Sequence, residues 1–303
     1  MKRLAFLLFA VAAVMCANAK ILRVSNINGS TAPYSTVKAA LEAAEDGDVI
    51  MVDASPDSYG DVEINKSVTI QGPGYWLLEN NISQEGCTTA TFGTITLSAE
   101  GIKISSVNVS WGIRCNGQSN WVITRCKMGK VSFNSHEYRG VLHQNYITGD
   151  IDGVYTSNGA YAPYSVAAYL QITNNIIGGK MKWVKNSVIK YNTAINGKLF
   201  LDSGLSESTF EYNIGFSTVG GEKNTYANNI EIPEGVTYKN TDIDSIIKET
   251  DATISTTHGA FAGEDPYVIS GIAPGPYIED ITVPVSVEQG KDMEVTVKIG
   301  TSR

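Results

Sequence analysis

The chain has 303 residues, of which 43% are hydrophobic and 18% charged, with a formal charge of -8 at neutral pH. It is long enough to bury one sizeable core, and its acidic balance argues against nucleic acid as a partner. Beyond the first twenty residues no run reaches 18 apolar residues, so no membrane span is expected.

Residues 1–19 read as an export signal: Lys2 and Arg3, an apolar stretch from Leu4 to Cys16, then Ala17-Asn18-Ala19. A lipid-bearing Cys16, after Ala13-Val14-Met15, is the alternative processing site. The expected location is therefore outside the cytoplasm of a bacterium: secreted, periplasmic or on the outer surface. Cleavage after Ala19 leaves Cys87, Cys115 and Cys126, an odd number, so at least one thiol is free. No Cys/His cluster has zinc spacing. The mature chain opens with a strand at Ile21–Val24 and a helix from Thr36 to Glu45, capped by Ser35, with Val37, Ala40, Leu41 and Ala44 at helical spacing. Strands follow at Val49–Val52, Val62–Ile64 and Val68–Ile70, then the turn Gly72-Pro73-Gly74. The lone helix is expected to cover the open end of whatever core follows.

From Ile104 to Glu231 one phrase recurs seven times: apolar, any, any, Asn-like, any, apolar. Its fourth position falls at Val107, Cys126, Asn145, Asn175, Asn192, Asn213 and Asn229, in steps of 19, 19, 30, 17, 21 and 16. A second phrase follows most copies, as in Gly129-Lys130-Val131, Gly149-Asp150-Ile151, Gly179-Lys180-Met181 and Gly197-Lys198-Leu199. Units this short cannot bury their apolar residues alone, so they must stack. The expected fold is all-β, a single-stranded right-handed parallel β-helix with an N-terminal capping helix and a C-terminal β cap. The asparagines should lie above one another and hydrogen-bond along the axis, while tolerating the left-handed backbone of a tight corner. Expected boundaries are an N-terminal cap at 20–60, coils at 61–235 and a closing segment at 236–303. Within the last, Asp244–Glu249 reads as a short helix, 263–276 as loop, and Ile281–Val283 and Met293–Ile299 as strands lying against the last coil.

The run Thr36-Val37-Lys38-Ala39-Ala40, Gly47-Asp48-Val49-Ile50-Met51-Val52, Tyr59-Gly60 and Ile64 to Gly72 resembles the entry of the pectate-lyase-like β-helix superfamily. A second stretch, Ala260 to Gly271 with Pro274 to Val285, is similar to the closing segment of uncharacterised secreted β-helix proteins of gut bacteria. Together with the coils the resemblance spans most of the mature chain and implies a fold more than an activity. The paired Asp-Asp and the Gly-His-Gly of the superfamily's hydrolases do not occur here, and His258-Gly259 lies outside the repeats.

The candidate functional surface is the outward side of the second phrase. One slot holds Lys130, Asp150, Lys180 and Lys198; two residues on, the next holds Arg114, Ser132, Asp152, Lys182 and Phe200. Alternation turns both slots to solvent and puts Asp150 and Asp152 on one face, with Lys180 and Lys182 about 4.8 Å above them. The long step from Asn145 to Asn175 inserts a tyrosine-rich segment carrying Tyr155, Tyr161 and Tyr164, and such loops on rigid scaffolds often bind ligands. These residues suit a polysaccharide: tyrosines for sugar faces, cations for uronate carboxylates. A plain Asp–Lys ladder that neutralises stacked charges is the alternative. A lyase is a third reading, in which Asp150 and Asp152 hold Ca²⁺ and Lys180 or Lys182 removes the acidified proton. The neighbours of the two aspartates in these slots are cations or serine, whereas the calcium sites of pectate lyases draw carboxylates from adjacent coils. The expectations are therefore a monomer that binds polysaccharide or cell-surface glycan without catalysis, with no cofactor or metal. Alternatives are a lyase of uronate glycans with Ca²⁺, and a structural or adhesive spacer. His143 occupies an outward position and is expected to be solvated.

Overall fold

The computed structural model describes residues 19–78, 89–133, 137–152, 167–195, 205–215, 223–231, 256–273, 275–284, 286, 290 and 292–302. The export signal through residue 18, Cys87, Tyr155, Tyr161, Tyr164, Lys198 and the Asp244–Glu249 helix lie outside the described residues.

The first sheet has ten strands that pair in chain order: Ile21–Val24, Val49–Val52, Thr69–Gln71, Lys103–Ser105, Val122–Thr124, Val141–His143, Gln171–Thr173, Val188–Lys190, Thr209–Glu211 and Thr225–Ala227. Every pairing is parallel and in strict register, so Leu22, Ile50, Ile70, Ile104, Ile123, Leu142, Ile172, Ile189 and Phe210 form one buried column. At the strand spacing of about 4.8 Å this sheet is roughly 43 Å long. A second sheet begins with Val62–Ile64, Thr91–Leu97 and Asn108–Cys115. Above the last of these it divides into two arms. One contains Lys127–Met128, Tyr146–Ile147, Ile176–Ile177 and Thr193–Ala194; the other contains Val131–Phe133, Ile151–Asp152 and Met181–Lys182. Glu137–Tyr138, Ala167–Ala168 and Val184–Lys185 form a third sheet. This succession is consistent with a parallel β-solenoid.

The second phrase of the repeat owes its glycines to the corner where the arms divide. A Cβ on Gly129 would lie 2.5 Å from the Trp111 carbonyl oxygen, and one on Gly149 would lie 2.6 Å from that of Gly129. Backbone passes directly over backbone there, which only glycine allows.

Asn145, Asn175, Asn192 and Asn213 are wholly buried and stacked. Asn175 shows the pattern. Its backbone N–H and side-chain Nδ2 both donate to Asn192 Oδ1, each at 3.0 Å, and Nδ2 also donates to the carbonyls of Leu142 and Thr173. Its own Oδ1 accepts from the backbone and side chain of Asn145 at 2.9 and 3.0 Å. Cys126 takes the slot below, with its N–H on Asn145 Oδ1 and its thiol on the Thr124 carbonyl. The left-handed backbone, however, belongs to the preceding residue and not to the asparagine. Ser106, Arg125, Gln144, Asn174, Tyr191, Tyr212 and Asn228 have φ between +53° and +60°. The ladder asparagine points inward, and the corner is turned just before it.

The helix spans Val37–Ala43, and its N-cap is Thr36, not Ser35: Thr36 Oγ1 accepts the Ala39 N–H at 3.2 Å. Val37, Ala40 and Leu41 join the same core as the first strands. At its other end Lys66 Nζ donates to the carbonyls of Leu41, Glu42 and Ala44, which have no partner within the helix.

The segment 256–273, read from sequence as loop over much of its length, runs back along the corner column, and most of its contacts are to the left-handed residues. His258 packs on Tyr212, Gly263 on the ring of Tyr191, and the carbonyls of Ala260 and Ala262 accept from Asn174 Nδ2. Gln144 Nε2 reaches Asp265 and Pro266, Arg125 Nη1 the Ile272 carbonyl, and Ser270 bonds the backbone of Tyr75 and Trp76. The closing hairpin, Gly275–Thr282 paired antiparallel with Thr296–Ser302, therefore starts beside the coil of Arg125, well before the last coil. Among the described residues no helix is long and apolar enough to cross a membrane.

Candidate functional site

The second arm of the second sheet carries the charged slots. Arg114, Ser132, Asp152 and Lys182 stand in register in successive coils. Lys130, Asp150 and Lys180 form the adjoining column, linked by Ile113 N–H to Lys130 O, Val131 N–H to Asp150 O and Ile151 N–H to Lys180 O at 2.8–3.0 Å. The contacts within it are more specific than a stack of like slots. Asp150 Oδ1 accepts the backbone N–H of Lys180 at 2.7 Å, and its Oδ2 lies 3.6 Å from Lys182 Nζ. The ion pair is thus diagonal, from one slot to the other. Ser132 is only 3% exposed and does not face solvent as alternation alone implies; it is a short side chain flanked in register by Arg114 and Asp152.

Each carboxylate oxygen of Asp150 thus has a protein partner, one a backbone N–H and the other a lysine ammonium. Among the described residues no group of three or more His, Cys, Asp or Glu is arranged to hold a metal ion. The partly exposed Asp150–Lys182 pair is worth at most about 1 kcal/mol. Its plainer effect is to tie adjacent coils.

Trp111 is the residue that sequence reasoning missed. It lies at the Gly112 kink, 74% exposed, with its backbone against Gly129 and the next residue's against Lys130. The signal was present: Val109 and Ile113 are both inward, and the three residues between them interrupt the alternation with an aromatic beside a glycine. At the far side of the same face Trp183 makes the single-residue turn from Lys182 to Val184, at φ +57°. One coil earlier, Asp152 and Ala167 stand in register with Lys182 and Val184, and the insertion that carries Tyr155, Tyr161 and Tyr164 falls between them in sequence, outside the described residues. Trp111 thus stands in the coil of Arg114, its backbone against the coil of Lys130, while Asp150 and Asp152 and then Lys180 and Lys182 follow in the next two coils of the same arm.

The chain matches no protein-family model and no curated protein sequence.

A second polar cluster sits where the returning segment crosses the first sheet. His143 is not simply solvated: Nδ1 is 2.7 Å from Thr173 Oγ1 and Nε2 is 2.9 Å from Asp265 Oδ2. Arg125 Nε donates to Gln144 Oε1 at 2.7 Å, and Gln144 Nε2 donates to Asp265 Oδ1 at 2.9 Å. Burial pulls the Arg125 guanidinium pKa down and the Asp265 carboxylate opposes that shift. Each of these side chains fastens the segment to a coil, which is a structural task. A cleft of about 590 Å³ between the helix and residues 61–66 is likewise lined by groups in use. Lys66 caps the helix, Asp61 accepts the Thr94 N–H, and Glu63 accepts from Ser98.

Proposed function

We propose that this chain is an exported right-handed parallel β-helix of the pectate-lyase-like kind that binds an acidic polysaccharide without cleaving it. Three things support the architecture: the parallel sheets, the helix that adds to the core at the first coil, and the strong right-handed preference of strand-crossover-strand connections. The single observation that carries the binding reading is Trp111, 74% exposed in the coil of Arg114 and next to that of Lys130. A large exposed indole costs hydration unless something covers it, and an aromatic plane beside cations suits a sugar ring that carries a carboxylate. On the same reading the tyrosines of the insertion, which lie outside the described residues, are expected to add to the binding. Asp150 bonds the Lys180 N–H and lies near Lys182, and the lyase alternative would need carboxylates from neighbouring coils, where the described slots hold lysine, arginine or serine.

The test is affinity electrophoresis through gels containing alginate, pectin or a neutral glucan. The acidic polymers should retard the chain and the neutral one should not. Trp111→Ala should weaken retardation roughly two- to tenfold, the scale of one stacked ring, and the triple change of Tyr155, Tyr161 and Tyr164 to alanine should weaken it further. Calcium should leave the melting temperature unchanged. A calcium-dependent rise in the ultraviolet absorbance of unsaturated sugar product would replace this reading with the lyase.

A further inference from the structure

The closing hairpin is the one described sheet with only two strands. Isolated hairpins are marginal in water, and natural sheets pair, cover or blunt their edges. This one does little of that. Met293, Val295, Val297 and Ile299 alternate and are 58, 42, 46 and 64% exposed. Period two puts them on one face, with Glu294, Thr296 and Lys298 on the other. Among the described residues the strand Thr296–Ser302 has one strand neighbour, Gly275–Thr282.

We propose that the outer edge of this strand pairs with the same edge of a second copy of the chain, antiparallel and centred on Thr296. The sequence is self-complementary about that residue. A twofold axis there sets Met293 opposite Ile299, Glu294 opposite Lys298 and Val295 opposite Val297, each occurring twice. Apolar residues meet apolar ones on one face, and two opposite-charge pairs form on the other, where directly opposed charges matter most. Moving the axis to Val297 puts Glu294 opposite Gly300 and loses both charge pairs. In the hairpin's own register Asp280 stands opposite Lys298, so in the dimer the lysine lies between two acidic positions. Met293 to Val295 precede the strand and extend it on pairing. The product is a continuous four-stranded sheet joining two copies of the chain, in place of the monomer expected from sequence. Its area is small, so the association should be weak and reversible on dilution.

Sedimentation velocity on the chain 20–303 across a concentration series tests this. The mass should rise from monomer toward dimer. Glu294→Lys alone and Lys298→Glu alone should each weaken association at least about fivefold, since each turns two attractive pairs repulsive. An equimolar mixture of those two variants should regain wild-type affinity as a heterodimer, because each lysine of one variant then faces a glutamate of the other. Val297→Asp should abolish association while the thermal melt stays as in wild type, which separates loss of docking from loss of fold. A wild-type chain that is monomeric at its highest soluble concentration overturns the proposal. So does a mixture that fails to associate, or a hairpin that captures a different partner while the chain stays single.

Discussion

At the scale of single residues, the asparagine ladder does two jobs with one side chain. Its amide nitrogen satisfies carbonyls at the corner, while its carbonyl oxygen accepts the backbone N–H of the coil before. Replacing Asn175 with Leu preserves volume but leaves the buried Asn145 N–H without its acceptor, so it should cost about 1–3 kcal/mol in urea unfolding. The same substitution at Asn229, at the less buried end of the ladder, should cost less. Cys126 marks where the ladder stops. Burial pushes its thiol up to about 12, so it acts as a small core residue. The register was legible from sequence because Asn recurs at one position of a phrase. The left-handed residue beside it was not, because Ser, Arg, Gln, Asn and Tyr all occupy that place and share no side-chain chemistry.

At the scale of an element, the N-terminal helix is held at its C-terminal end by two charged side chains. Lys66 donates to three of its carbonyls. Asp48 accepts the backbone N–H groups of Glu45 and Lys20, each at 2.8 Å. Those two hydrogen bonds, Glu45's first, hold the Asp48 carboxyl below the usual carboxylate range. A depressed native pKa means the unfolded chain takes up the proton first as the pH falls. The stabilisation by Asp48 is thus complete above the ordinary value near 4 and is lost as the pH drops through the lower native value. The protection factors of the Glu45 and Lys20 amides, with intrinsic exchange divided out, should therefore fall below about pH 4, and Asp48→Asn should make that region's stability flatter with pH. An unchanged acid profile in Asp48→Asn would show that another carboxylate governs it.

At the scale of the whole molecule, the returning segment 256–273 converts a stack of neighbours into a tied rod. A solenoid coil touches only the coils beside it, whereas this segment bonds coils from Tyr212 back to Tyr75. Asn174→Ala removes the donor to two carbonyls, those of Ala260 and Ala262, and should destabilise by about 1–3 kcal/mol. Removing residues 256–273 should do more: thermal unfolding should become broader than that of the intact chain, because distant coils lose their shared tie. Differential scanning calorimetry on the two variants distinguishes these outcomes. A sharp, unshifted transition without the segment would mean that the coils need no tie.

The period near 19, the alternation and the repeated Asn sufficed to place the parallel sheets, the inward column and the slots of Asp150, Asp152, Lys180 and Lys182. Those features depend on local spacing, and one chain winding over itself turns local spacing directly into register. Sequence also yielded the helix and the last strand to within about three residues, whereas the first closing strand, expected at Ile281–Val283, runs from Gly275 to Thr282. Only the tertiary structure decided that Asp150 is bonded to Lys180 and Lys182, that Ser132 is covered, and that Trp111 stands out from the face. It alone showed His143 and Gln144 meeting Asp265, more than 120 residues away. Contacts of that kind join segments with no common period, so no repeat announces them, and the energy that selects them comes from burial and hydrogen bonding after the coils have formed.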